Sequence, residues 1–244
     1  MKLLAAILLS AVATGLFPLA GCSKNTHNSP VTTSGGNNTG SDSSVRYKTY
    51  LALGDSYTIG QSVDVNQRFP AQTAALLQND NIIIKQPEYI AVTGWTTANL
   101  QTAIQNTNPK GPYDIVSLLI GVNDQFQHLD TGGYRFRFTQ LLQKSIQLAG
   151  NKPAHVFVLS IPDYSVTPFG QTYNPAQTSK EIDGFNAINR QVTAQYNCQY
   201  IDITPSSREA ANNTGLVAND GLHPSGAEYK KWAMLLSQAI KATL

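Results

Sequence analysis

Six consecutive residues, Ile115 to Ile120, carry a single polar side chain, Ser117. A strand with one wet face alternates apolar and polar residues, whereas a continuous apolar run is buried on both faces. Similar strand-like runs occupy Thr49 to Leu53, Tyr89 to Val92, His155 to Ile161 and Tyr200 to Ile203. Several of the five are continuous rather than alternating, which calls for a parallel sheet covered on both sides. Ile82-Ile83-Ile84 is compatible with a further strand or with the tail of the first connection.

Helix-like stretches alternate with these runs. Phe138, Leu141, Leu142, Leu148 and Ala149 share one helical stripe, which Gly150 ends. Ile182, Phe185, Ile188, Asn189 and Val192 form another. Near the end, Ser225 stands where an N-cap belongs, ahead of Trp232, Leu235, Leu236, Ala239 and Ile240. Strand–helix alternation implies right-handed crossovers with helices on both faces. The expected fold is therefore a three-layer α/β/α sandwich around a five-stranded parallel sheet.

Such sheets bind ligands beyond the carboxyl ends of their strands. Polar segments stand at four of those ends: Gly54-Asp55-Ser56-Tyr57-Thr58, Thr93-Gly94-Trp95-Thr96-Thr97, Gly121-Val122-Asn123-Asp124, and Asp220-Gly221-Leu222-His223-Pro224-Ser225 before the last helix. Each alone reads as an ordinary turn, since Gly permits unusual backbone angles and Asp, Asn and Ser bond nearby amides. Their order and placement together resemble the four blocks of the SGNH/GDSL hydrolase superfamily, over nearly all of residues 48 to 244. The resemblance implies a flavodoxin-like SGNH hydrolase fold over residues 46–244 and a serine ester hydrolase without a cofactor. It implies Ser56 as nucleophile, Asp220 and His223 as acid–base partners, and Ser56, Gly94 and Asn123 as the oxyanion hole. Block one reads Gly-Asp-Ser-Tyr rather than Gly-Asp-Ser-Leu, and block two rests on Gly94 alone.

The residue types suit that chemistry. A serine hydroxyl is nearly inert until an imidazole accepts its proton, and a carboxylate on the other ring nitrogen fixes the tautomer. Other readings fit less well. Thr58 stands where a Gly-x-Ser-x-Gly elbow needs glycine, and Gly54 to Gly60 lacks the Gly-Lys ending of a phosphate loop. His27, His128, His155 and His223 show no metal-ligand spacing. His155, Asp55 and Asp124 are read as structural. No carboxylate pair stands out for glycoside hydrolysis.

The amino terminus has its own reading. Lys2, the apolar stretch Leu3 to Leu16 and the ending Leu19-Ala20-Gly21-Cys22 describe an export signal over residues 1–21. The ending resembles the lipobox of bacterial lipoproteins. That implies lipidation at Cys22, membrane anchoring in the cell envelope, and, with Ser23 following, compatibility with outer-membrane sorting. Residues 22–45, rich in Gly, Ser and Asn, read as a disordered tether. With Cys22 lipidated, Cys198 lacks a disulfide partner and reads as a buried thiol.

Charged residues are 13% of the chain and the net charge is +2, without a basic run, so nucleic-acid binding has no electrostatic support. The aromatic stretch Pro162 to Tyr173 reads as one wall of a substrate cleft or as a plain surface loop; Trp95 and Phe126 stand where they can line the same cleft, and Trp95 is equally compatible with the core. An O-acetylesterase acting on glycans is the favoured expectation. Rivals are a lysophospholipase, a general short-chain acyl esterase or thioesterase, and an inactive surface binding lipoprotein, which the complete set of motif residues argues against.

Overall fold

The computed structural model describes residues 46–244. The expected signal, the Cys22 lipidation site and the whole of the tether lie outside the described residues. Among the described residues no helix is long and apolar enough to cross a membrane.

Among the described residues five strands form one sheet: β1 (Tyr50–Gly54), β2 (Glu88–Ala91), β3 (Ile115–Leu119), β4 (Val156–Leu159) and β5 (Gln199–Ile201). All pair in parallel, in the order β2-β1-β3-β4-β5. Eight α-helices accompany them: α1 (Ser56–Ile59), α2 (Phe69–Gln78), α3 (Thr97–Thr107), α4 (Val122–Phe126), α5 (Thr131–Leu148), α6 (Pro175–Gln195), α7 (Thr204–Arg208) and α8 (Gly226–Lys241). Helix α2 packs on α8, while α3, α5 and α6 pack in series. These two groups sandwich the sheet, as the continuous apolar strands require.

Every residue of β1, β3 and β4 is buried. Burying each large aliphatic side chain contributes about 1.5–3 kcal/mol relative to exposure. Ser117, the polar exception in β3, accepts a 2.9 Å hydrogen bond from the buried Tyr50 hydroxyl and so carries no unmet polar group into the core.

Strands β3, β4 and β5 are shorter than the runs that mark them, whereas β1 and β2 keep the length of theirs, shifted by one residue. His155 ends a 3-10 turn ahead of β4, and its Nδ1 lies 2.8 Å from the Asp114 carbonyl, a structural role. The triple isoleucine belongs to the connection, touching the sheet through one bridge between Lys48 and Ile84. Helix α8 is capped as expected, Ser225 Oγ accepting from the Glu228 amide, but Leu235 is 41% exposed. Its position on the helix turns it outward, where Leu236 and Ala233 already fill the core face. Cys198 is only half-buried, yet burial still pushes its thiol up to about 12.

Register fixes where the chemistry sits. Gly54 at the end of β1 lies abreast of Ala91 on β2 and Leu119 on β3. The segments that follow therefore leave the sheet at one edge. The chain also reverses its direction of strand addition there, between β2 and β3 on either side of β1. Ligand crevices form at such switch points.

Candidate active site

The serine is presented by a tight strand-to-helix turn. A Cβ on Gly54 would stand 2.4 Å from the Leu119 carbonyl and 2.1 Å from Thr58 Oγ1, so only glycine fits. Asp55 caps α1 by accepting from the Tyr57 amide at 3.0 Å. Ser56 follows as the first helical residue, and its N–H is one that the helix itself cannot satisfy.

His223 reaches Ser56 from the opposite end of the sequence. Its Nε2 lies 2.9 Å from Ser56 Oγ and its Nδ1 lies 2.6 Å from Asp220 Oδ2. These partners assign the tautomer: Nδ1 donates to the carboxylate, and Nε2 accepts from the hydroxyl. The loop is braced by its own backbone, the Ala218 amide donating to the His223 carbonyl at 2.7 Å. The imidazole is 4% exposed and sits against Tyr57, ring centroids 5.1 Å apart.

Asp220 is held as a carboxylate. Partial burial pushes its pKa upward, but hydrogen bonds from Ser62, the Leu222 amide and His223 outweigh this and bring it down to about 2. Asp55 goes the other way. Burial pushes its carboxyl up to about 7, against the stabilising Tyr57 amide, and nearby Asp124 adds to the rise. Its Oδ2 is buried without a partner. Asp55 is thus a cap, as its sequence position suggests, and an unusually desolvated one.

Asn123, on the first turn of α4, lines the cavity beside Ser56 and His223. Its Nδ2 donates to the Trp95 carbonyl at 3.0 Å. Asp124 accepts from the Thr97 amide at 2.8 Å and from the Thr97 hydroxyl, with Arg137 3.3 Å away. Two adjacent residues of α4 thus clamp the loop after β2.

Gly94 lies in that loop with φ of +81°, in a turn closed by the Trp95 amide on the Val92 carbonyl. It is exposed and is not part of the lining of the cavity at Ser56. Trp95 is half-buried against the core, and it meets the site through its carbonyl rather than its ring. Phe126, Tyr164 and Phe169 do line the cavity, so the aromatic stretch after β4 forms one wall. Phe169 is tied to the Asp220–His223 loop through its amide, 2.9 Å from the Gly221 carbonyl.

The cavity holds about 100 Å³, with Val122 and Leu222 completing its apolar lining. Sequence reasoning missed Ser62, whose hydroxyl bonds Asp220 at 2.6 Å. A lone serine in a turn carries no signal of this contact. Among the described residues no cluster of His, Cys, Asp and Glu has metal-binding geometry.

The model of the GDSL-like Lipase/Acylhydrolase family matches residues 52–231. No curated protein matches. Among solved structures, TesA superimposes with a TM-score of 0.65 at 18% identity, covering 81% of this chain and 100% of its own. A lipolytic protein of the G-D-S-L family from Veillonella parvula gives 0.61 at 19% identity, over 78% and 96%. Axe2, an acetylxylan esterase from Geobacillus stearothermophilus, gives 0.61 at 19%, over 79% and 94%. At these identities the structures attest the fold, and the matched family model attests the lineage: this chain belongs to the GDSL-like lipase/acylhydrolase family.

Proposed function

We propose that the protein is a serine carboxylic-ester hydrolase that removes short acyl groups, acetyl above all, from glycans. His223 Nε2 takes the Ser56 proton as Oγ attacks the ester carbonyl carbon. The oxyanion that forms is met by the Ser56 N–H and the Asn123 amide, with Gly94 a third donor if its loop closes over substrate. Collapse expels the alcohol, which receives the proton from His223. Water, deprotonated by the same imidazole, then attacks the acyl-enzyme, and the acid leaves with Ser56 restored. Asp220 keeps Nδ1 protonated and stabilises the imidazolium in both halves.

The observation that carries the short-acyl reading is the cavity itself. At about 100 Å³ it is smaller than the roughly 300–1,000 Å³ of ordinary small-molecule pockets, so it suits an acetyl group better than a fatty chain. The alcohol side supports a sugar. A groove of about 250 Å³ shares the Phe126 and Tyr164 walls and adds Tyr173, Asn174, Gln177 and Glu181. Tyr173 is 50% exposed and Phe126 39%, offering ring faces beside amide and carboxylate groups that can bond hydroxyls. The likeness to Axe2 agrees with this choice. In this reading Cys22 carries a lipid that holds the enzyme at the cell envelope.

Acetate release from acetylated xylan, fatty-acid release from a lysophospholipid and turnover of p-nitrophenyl esters from acetate to palmitate, each with a Ser56→Ala control, test the assignment. Ser56-dependent activity confined to short chains and acetylated glycan is expected. A preference for palmitate or lysophospholipid would move the enzyme to the lipase side.

A further inference from the structure

The Asp220 carboxylate has a donor that none of the four motifs contains. Its Oδ1 accepts from the Leu222 and His223 amides, 2.9 Å each, bonds that stay within its own loop. Its Oδ2 receives His223 Nδ1 at 2.6 Å and also Ser62 Oγ at 2.6 Å, from a residue 158 positions away. Ser62 is thus the donor that ties the acid to the chain segment carrying the nucleophile.

The backbone at Ser62 makes this contact unusual. Among the described residues, six non-glycine residues have positive φ: Ser62, Asn81, Asn108, His128, Asn151 and Asn197. Asparagine and histidine enter the left-handed region more readily than most residues. Ser62, at +67°, belongs to neither type. Gly60, which ends α1, is also left-handed at +64°. The chain therefore leaves the nucleophile helix through two left-handed residues, one of which adopts that conformation freely and one of which does not. On backbone grounds alone glycine suits position 62 better. Strained residues persist where the surroundings hold them and cluster at functional sites. Here the serine is held by the turn that the Val63 amide closes on the Gly60 carbonyl and by its side-chain bond to Asp220.

We propose that Ser62 is a positioning residue for the triad: its hydroxyl locks Asp220 Oδ2 against His223 Nδ1 and joins the Ser56–Ser62 segment to the Asp220–His223 loop. This rests on the catalytic reading of Ser56, His223 and Asp220. Without the hydroxyl, Asp220 keeps its two amide donors on Oδ1. Its side chain is 27% exposed, so Oδ2 then takes water in place of a fixed partner. The acid stays ionised but is less firmly aimed.

Ser62→Gly separates this role from a structural one, because glycine relieves the backbone while deleting the hydroxyl. Its melting temperature is expected to hold or rise, KM for p-nitrophenyl acetate to stay within about twofold, and kcat to fall roughly tenfold. In an Asp220→Ala background the same change is expected to leave kcat within about twofold, since the group it positions is gone. Wild-type kcat in Ser62→Gly, or an equal loss in both backgrounds, would overturn the proposal. Full turnover by Ser56→Ala would instead point to a fault in the triad assignment itself.

Discussion

Asn123 Nδ2 donates to the Trp95 carbonyl at 3.0 Å, and this one bond orients an amide that lines the same cavity as Ser56. The carbonyl can only accept, so the nitrogen rather than the oxygen of the Asn123 side chain lies toward it. One N–H is committed to the loop after β2, and the second is left for a ligand oxygen. Asp124, the next residue, accepts from the Thr97 amide at the start of α3 and so braces the same junction.

Asn123→Ala is therefore expected to lower kcat on p-nitrophenyl acetate by about 10²–10³-fold, with a smaller change in KM. Asn123→Asp is expected to be no better, because a carboxylate repels the developing oxyanion. Steady-state kinetics beside circular dichroism of each variant checks both outcomes. The Asp124 clamp should keep the fold intact.

The buried Asp55 makes stability depend on pH in the direction opposite to most carboxylates. Its folded pKa is raised to about 7 by burial, whereas the unfolded chain releases the proton near 4. The native state binds more protons across that window, so stability falls as pH rises from about 4 to about 7 and then levels off. Asp55→Asn keeps an acceptor for the Tyr57 amide and removes the titration. Urea unfolding at several pH values should show a flatter profile for the variant. The difference should be on the order of 4 kcal/mol at most, from the size of the shift.

Phe169 walls the cavity that receives the acyl group in the proposed reading. Phe169→Ala is expected to move the chain-length optimum upward, each newly accommodated methylene adding roughly fourfold to kcat/KM relative to wild type. A series of p-nitrophenyl esters gives the comparison directly. An unchanged optimum would place the acyl group on another side of Ser56.

The proposed lipidation at Cys22 predicts that the 244-residue chain expressed in a bacterial host partitions into detergent and carries acyl mass. Cys22→Ser is expected to abolish both. More than one acyl chain is needed for stable anchoring, so the wild-type protein should resist a salt wash of membranes.

Much of the fold was legible because burial on both faces leaves a plain mark: Ile115–Leu119 and Val156–Leu159 are strands whose side chains have nowhere polar to go. Strand ends were less legible. Apolarity continues through Ser160-Ile161 after β4 has stopped, since Ile161 is buried by loop packing rather than by pairing. Helical period also misled at Leu235, because a stripe read from spacing is wider than the face that meets the core. At the site, Ser56, Asp220, His223 and Asn123 stand together as the motif order implied. Ser62 was invisible, since its role comes from a backbone angle and a partner 158 residues distant. For Trp95 the sequence left cleft and core both open, and the ring packs against the core while its carbonyl meets Asn123.

The most direct measurement is to quench the enzyme with acid during turnover of p-nitrophenyl acetate and map its peptides by mass spectrometry. One acetyl group on Ser56, absent from Ser56→Ala together with turnover, is the expected result. Undiminished hydrolysis by Ser56→Ala, with no acyl group on the Ser56 peptide of the wild-type enzyme, would contradict it.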